Sequence, residues 1–237
     1  MRPPEEKRDR TDSECFRKTE RTMYMKKKNR LFQNRCTVRG EIVDMEFVKG
    51  IRGPEDLYLL VKTTLPDGNF TDIPCLAAGE KLRDLKSPLK LGDWVTVSGA
   101  LTVDRKEKVS WIEARMIDRA EKESEREYFN FAVFQGEIQV GTLMFHRGKA
   151  VMADFDLGVG SPQDKRRLEV NCLAEGDAMQ DYINCLNCGE VQVCGKMDFT
   201  ITDDGVIRCF TDVSSISPLQ SFCKTARGEK GACRNDS

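Results

Sequence analysis

The chain has 237 residues, a hydrophobic content of 39%, and 38 Lys or Arg against 39 Asp or Glu, for a net charge of −1. That length admits one large domain or two small ones, and the modest apolar share beside 32% charge suits small domains with much surface. No run of about 18 apolar residues occurs, so no membrane span is expected, and the charged N-terminus lacks a secretory signal pattern, which makes the cell interior the expected location.

Charge is uneven along the chain. Residues 1–35 carry twelve Lys or Arg against six Asp or Glu, residues 220–237 carry four against two, and the body between is left near −9. The leader, residues 1–34, has no sustained apolar stripe and is expected to be disordered. Its cluster Lys26-Lys27-Lys28 with Arg30 reads equally as a solvated tail or as a nucleic-acid contact.

Strands follow. Cys36 to Val48 is rich in β-formers around Gly40, whose place inside a strand points to a bulge or a close backbone approach. Leu57 to Thr63 is a second strand, and Pro66-Asp67-Gly68-Asn69 turns the chain into a third, Phe70 to Leu76. Glu80 to Lys86 reads as a short helix. Gly92 to Val103 alternates, and the polar tip Asp104 to Lys108 returns it through Val109 to Ile117 as a hairpin. Asp118 to Tyr128, charged and poor in apolar residues, is a linker. The series then starts again: strands at Phe131–Gln139, Ala150–Val159 and Arg167–Ala174, a helix at Gly176–Leu186, and a hairpin of Val191–Thr202 with Val206–Ile216 around Asp203-Asp204-Gly205.

The two series share residues as well as order. Gly40-Glu41-Ile42 recurs as Gly136-Glu137-Ile138, Cys75-Leu76-Ala77 as Cys172-Leu173-Ala174, and Gly79 as Gly176, at offsets of 96 or 97. A period this long, seen twice, indicates two copies of a domain of roughly 90 residues. Three strands, a helix and a hairpin are the order of the OB-fold. The expected fold is therefore mostly β: two tandem OB-fold Greek-key barrels, each with one short helix, over residues 35–118 and 130–219. A charged linker at 119–129 joins them, and a flexible tail at 220–237 follows.

Repeat two resembles a domain of the bacterial single-stranded DNA-binding protein family. The resemblance rests on Asn130-Phe131-Ala132-Val133-Phe134-Gln135-Gly136-Glu137-Ile138, the strand Gly148 to Val159, and Val170-Asn171-Cys172-Leu173-Ala174. It continues through Ala178, Tyr182 and Leu186 on the helix and Gly189, Val191, Val193 and Gly195 beyond it. It spans residues 130–219, and repeat one resembles the same domain more weakly over 34–118. The tandem version of the family implies binding and protection of single-stranded DNA in replication, recombination or repair, with little sequence preference and no cofactor. It also implies replication or repair proteins as partners, and pairing of two chains into a homodimer of tandem domains. Family members hold the strand with a basic groove and with aromatics that stack on bases. Two positions depart from the pattern: before the glycine after strand three, where the family carries an aromatic, this chain has Ala78 and Glu175. The C-terminus, ending Arg234-Asn235-Asp236-Ser237, also lacks the family's acidic, hydrophobic-tipped tail.

The candidate phosphate contacts are Arg147, Lys149, Lys165, Arg166, Arg167, Lys196 and Arg208 in repeat two, with Arg52, Lys62, Arg105, Lys106 and Lys108 in repeat one. Each alone reads as a solvated charge; the run Lys165-Arg166-Arg167 is the strongest group. Candidate stacking residues are Tyr58, Phe70 and Trp111 in repeat one and Phe145, Phe199 and Phe210 in repeat two. Phe155, between Asp154 and Asp156, reads as core. Trp94 and Trp111 read first as core or interface aromatics.

Other chemistry finds little footing. Cys185 and Cys188 form a C-x-x-C among ten cysteines, but no second ligand pair stands at zinc spacing, so reduced, packed thiols are expected. His146 is the single histidine, no phosphate-binding glycine loop is present, and Asp203-Asp204 belongs to a turn, so an enzyme is not expected. The competing reading is a protein-interaction or assembly scaffold that kept the barrels and lost strong nucleic-acid binding. Ala78, Glu175 and the acidic body favour it.

Overall fold

The computed structural model describes residues 33–49, 55–82, 85, 87–104, 106, 109–160, 167–201 and 206–219. The first series comprises β1 (Asn34–Val48), β2 (Asp56–Thr64), β3 (Phe70–Ala77), α1 (Gly79–Leu82), β4 (Trp94–Asp104) and β5 (Val109–Arg119). After a 3-10 turn at Glu123–Glu125, the second comprises β6 (Phe129–His146), β7 (Lys149–Val159), β8 (Leu168–Glu175), α2 (Gly176–Cys185), β9 (Val191–Ile201) and β10 (Ile207–Pro218).

Each series closes on itself. In the first, β1 pairs β2, β2 pairs β3, β3 runs parallel to β5, β5 pairs β4, and β4 returns to β1. The second repeats this through β6, β7, β8, β10 and β9, with the β8–β10 pair parallel. These are two OB-fold barrels in tandem.

Alternation explains the strands. In β2, Leu57, Leu59, Val61 and Thr63 are buried while Tyr58, Leu60 and Lys62 face outward. Phe155 is 1% exposed and packs against Tyr182 of α2, 4.7 Å between centroids, in the core as expected. A side chain at Gly40 would collide with the Lys62 carbonyl, and one at Gly136 with the Gly158 carbonyl, so both glycines mark close backbone approaches at barrel closure. One further repeat is visible only in three dimensions. Asn34 Nδ2 donates to the Leu101 carbonyl and its Oδ1 accepts from the Leu101 N–H, both at 2.9 Å. Asn130 makes the same pair of bonds with Met197, at 2.6 and 3.0 Å.

Several expectations are corrected. Trp94 and Trp111, expected in the core or at an interface, are half-buried outside the core, because Val95 and Ile112 beside them take the inward positions of β4 and β5. β6 continues to His146 rather than stopping at Gln139, paired with β7 and bent by irregularities at Ile138/Gly141 and Met144/Phe145. α1 covers Gly79–Leu82, and Arg83, Asp84 and Lys86 of the expected helix lie outside the described residues.

The barrels share an edge. β1 and β6 pair antiparallel from Asn34 opposite Phe134 to Arg39 opposite Phe129, which merges both barrels into one ten-stranded sheet. Among the described residues no helix is long and apolar enough to cross a membrane.

Candidate nucleic-acid interface

The outer face of β2, β3 and β5 in barrel one and of β7, β8 and β10 in barrel two are equivalent surfaces, and strand register matches them residue by residue. Because Glu41 opposes Lys62 and Glu137 opposes Gly158, Lys62 corresponds to Gly158, Asp72 to Glu169 and Phe70 to Arg167.

The face of barrel one is largely aromatic and apolar, with Asp72 on β3 and Glu113 on β5 as its exposed acidic members. Tyr58, Leu60 and Lys62 project from β2, with Leu76 and Phe70 beside them on β3 and Trp111 on β5. Phe70 is 54% exposed, with Lys62 Nζ 4.5 Å from its ring centroid. Its ring meets Tyr128 edge-on at 5.2 Å, and Tyr128 in turn packs on Trp94 at 4.7 Å. The Trp111 indole N–H is buried without a hydrogen-bond partner among the described residues. Burial raises the Tyr58 hydroxyl above its ordinary range, with Cys75 and Asp44 adding to the shift, so it stays a neutral donor.

The face of barrel two is charged. β7 presents Asp154 and Asp156, β8 presents Glu169, Asn171 and Glu175, and β10 presents Arg208, Phe210 and Asp212. Arg167, where barrel one has Phe70, folds its guanidinium onto the Gly158 backbone and pairs with Glu137 at 3.1 Å. Only a glycine at 158 leaves room for it. Asn171 Nδ2 donates to Asp154 Oδ1 at 2.9 Å and to Asp156 Oδ1 at 3.4 Å. Asp212 has its carboxyl raised by burial, then by Glu175 and Asp67, while Lys196 across the hairpin pulls the other way.

The two sides of the seam differ for a local reason. On one side Thr71 of β3 donates to Asp198 of β9 at 2.8 Å, and Thr63 bonds the Phe129 carbonyl at 3.2 Å, which ties barrel one to barrel two. On the other side Leu168 and Val159 replace those threonines in the register and cannot form such bonds. There a cleft of about 1190 Å³ opens between Leu101–Val103 of barrel one and the Asp156, Asn171, Arg208 and Phe210 face of barrel two.

The candidate residues distribute as follows. Arg167 and Arg208 line the cleft, and Arg208 makes no ion pair among the described residues. Lys62, Phe70 and Tyr58 lie together on barrel one. Arg147 and Lys149 flank the exposed tip of the β6–β7 hairpin, where Arg147 and Gly148 take positive φ. The same tip exposes Phe145, and His146 ends β6 there. Lys196 is half-buried on β9, and Phe199 on that strand packs against the core. Lys106 is exposed in the β4–β5 turn. Arg52, Arg105, Lys108, Lys165 and Arg166 lie outside the described residues, as do the leader and tail. Sequence reasoning missed Asp156, Asn171 and Tyr128. Strand parity alone could have put the first two on the outer face, but nothing in the sequence marked Tyr128.

Among the described residues no cluster of His, Cys, Asp and Glu could hold a metal. Burial pushes the Cys36 thiol up to about 12 and raises those of Cys75, Cys172 and Cys209, so these are inert packing groups. The Cys185–Cys188 pair closes the end of α2, Cys188 N–H donating to the Cys185 carbonyl at 2.9 Å.

Fold and faces together define a tandem OB-fold protein with two joined barrels. No protein-family model matches the sequence, and no curated protein matches it. Solved structures do match the fold. The wild-type single-stranded DNA-binding protein from Thermus aquaticus superimposes with a TM-score of 0.61 at 13% identity, covering 79% of this chain and 93% of that one. A deletion variant of the single-stranded DNA-binding protein from the same organism gives 0.57 at 16% identity, covering 82% and 98%. At these identities the likeness is one of fold, and it extends to the tandem arrangement that the sequence resemblance implied.

Proposed function

We propose that this protein binds and protects single-stranded DNA during replication, recombination or repair, as a non-enzymatic binding module that follows the strand rather than a defined sequence. The observation that carries this is the face of barrel one. There Phe70, Trp111 and Tyr58 offer stacking surfaces, each worth about 1–3 kcal/mol per base, with the Lys62 cation held against the Phe70 ring. The strand continues over the seam into the cleft, where Arg208 supplies positive charge, and two linked barrels raise each other's effective concentration. Two chains pair through the outer face of β5–β4–β1–β6. On it the register aligns Met116, Ser98, Thr37 and the exposed Phe131 in one row and sets Phe129 beside Arg39.

A second reading, the protein-interaction scaffold, is favoured by one observation: Asp154, Asp156, Glu169, Glu175 and Asp212 on the face of barrel two repel phosphate. Anisotropy of a labelled oligo-dT of about 35 nucleotides, titrated with the full chain at two salt concentrations, separates them. Binding that weakens as salt rises, with a slope of about −0.7 per neutralised phosphate, supports the first reading, and no binding at low salt leaves the second.

A further inference from the structure

Resting on that reading, the geometry points to a base-selective subsite in the cleft: the row Asp156–Asn171–Phe210 favours bases that carry an exocyclic amine, cytosine over thymine. The three residues stand side by side on adjacent strands, Asp156 opposite Asn171 and Asn171 opposite Phe210. All three line the cleft. Phe210, half-buried on β10, is the one aromatic in the row and the natural stacking partner. A base lying on it directs its pairing edge across β8 toward β7, two strand spacings or about 10 Å away, a distance spanned by a base and one hydrogen bond.

What that edge meets is an acceptor set. The Asn171 amide nitrogen already donates to both Asp154 and Asp156, so the oxygen of Asn171 is the atom left to face the cleft. Asp156 accepts from Asn171 through Oδ1, and its Oδ2 has no partner among the described residues. A carboxylate accepts and cannot donate. Cytosine N4 brings two N–H donors, one for each acceptor, whereas thymine brings a single donor, N3–H, flanked by the O2 and O4 acceptors, so the second acceptor oxygen would face a carbonyl oxygen with no proton between them. Glu169, next along β8 and also lining the cleft, extends the same chemistry. The corresponding row in barrel one, Leu60, Pro74 and Trp111, has no hydrogen-bonding group at its first two positions, so the discrimination belongs to barrel two.

The test is competition on the full chain between oligo-dC and oligo-dT of about 35 nucleotides in slightly alkaline, low-salt buffer, where phosphate contacts are equal. We expect oligo-dC to bind about 5- to 10-fold more tightly. Asp156→Asn restores a donor and should erase the preference. Should that variant fold poorly, Asp156→Leu, which copies Leu60 of barrel one, should erase it too. Equal or tighter binding of oligo-dT by the unmodified chain overturns the subsite while leaving DNA binding intact. A preference that survives both substitutions also overturns it. Binding of neither oligomer overturns the subsite together with the function it rests on.

Discussion

The two barrels share one framework and present opposite chemistry. Matched positions keep the parts that build the barrel: Gly40 and Gly136 at the close approaches, Asn34 and Asn130 clamping the backbone of β4 and β9, Cys75 and Cys172 in the core. Matched positions on the outer face diverge, with Leu60 against Asp156, Tyr58 against Asp154, Phe70 against Arg167 and Ala78 against Glu175. Framework residues answer to packing, which the fold dictates twice. Face residues answer to whatever each barrel meets, and here they have parted into a stacking surface and a charged, hydrogen-bonding one. The repeat that resembles the single-stranded DNA-binding family less closely thus carries the surface better suited to stacking.

The largest expected effect tests whether the barrels are one body. Gly40→Ala or Gly136→Ala drives a Cβ into a backbone carbonyl and should cost on the order of 3 kcal/mol. Because the β1–β6 ladder joins the barrels, urea unfolding of either variant followed by near-ultraviolet dichroism should show a single transition at lower midpoint. Two separated transitions would show the barrels to be independent.

Next comes the division of labour between faces. Phe70→Ala or Trp111→Ala should weaken oligo-dT binding about 10-fold, in the range of about 1–3 kcal/mol per stack. Arg208→Ala should weaken it less, while making the salt slope shallower by about 0.7. If Arg208→Ala proves the more damaging, the main path of the strand runs over barrel two instead.

The asparagine clamps permit a finer comparison. Asn130, 3% exposed, and Asn34, half-buried, make equivalent bonds. Replacing either by alanine leaves a backbone N–H and carbonyl unpaired, costing about 1–3 kcal/mol, with the buried Asn130→Ala at the upper end. Thermal melts that rank them the other way would argue that water does not reach Asn34.

The smallest effect concerns pH. Asp212 binds its proton more readily folded than unfolded, since its carboxyl is raised above 3.8 by burial, Glu175 and Asp67. Its favourable contribution is therefore complete below 3.8 and lost as pH rises through the raised value, so at neutral pH the charged form is a liability. Asp212→Asn should stabilise at neutral pH by less than about 1 kcal/mol after solvent screening, and the gain should vanish in acid. Glu113→Gln, the matched change on the exposed side of barrel one, should alter stability by under about 0.5 kcal/mol at any pH.

The sequence by itself determined the strands, the order of elements, the tandem repeat and the OB-fold, because period-two alternation and turn residues are local signals and the barrel follows from their order. Phe155 in the core and Gly40 at a close approach were legible for that reason. Tertiary structure decided what lies between the barrels. The pairing of β1 with β6, the Thr71–Asp198 tie on one side and the cleft on the other depend on residues from about fifty to more than a hundred positions apart, and no local pattern encodes such pairs. Tertiary structure also decided the meaning of Arg167. In the sequence it was the last residue of a basic run; in the fold its guanidinium lies over Gly158 and against Glu137, because only there does a missing side chain leave space for it.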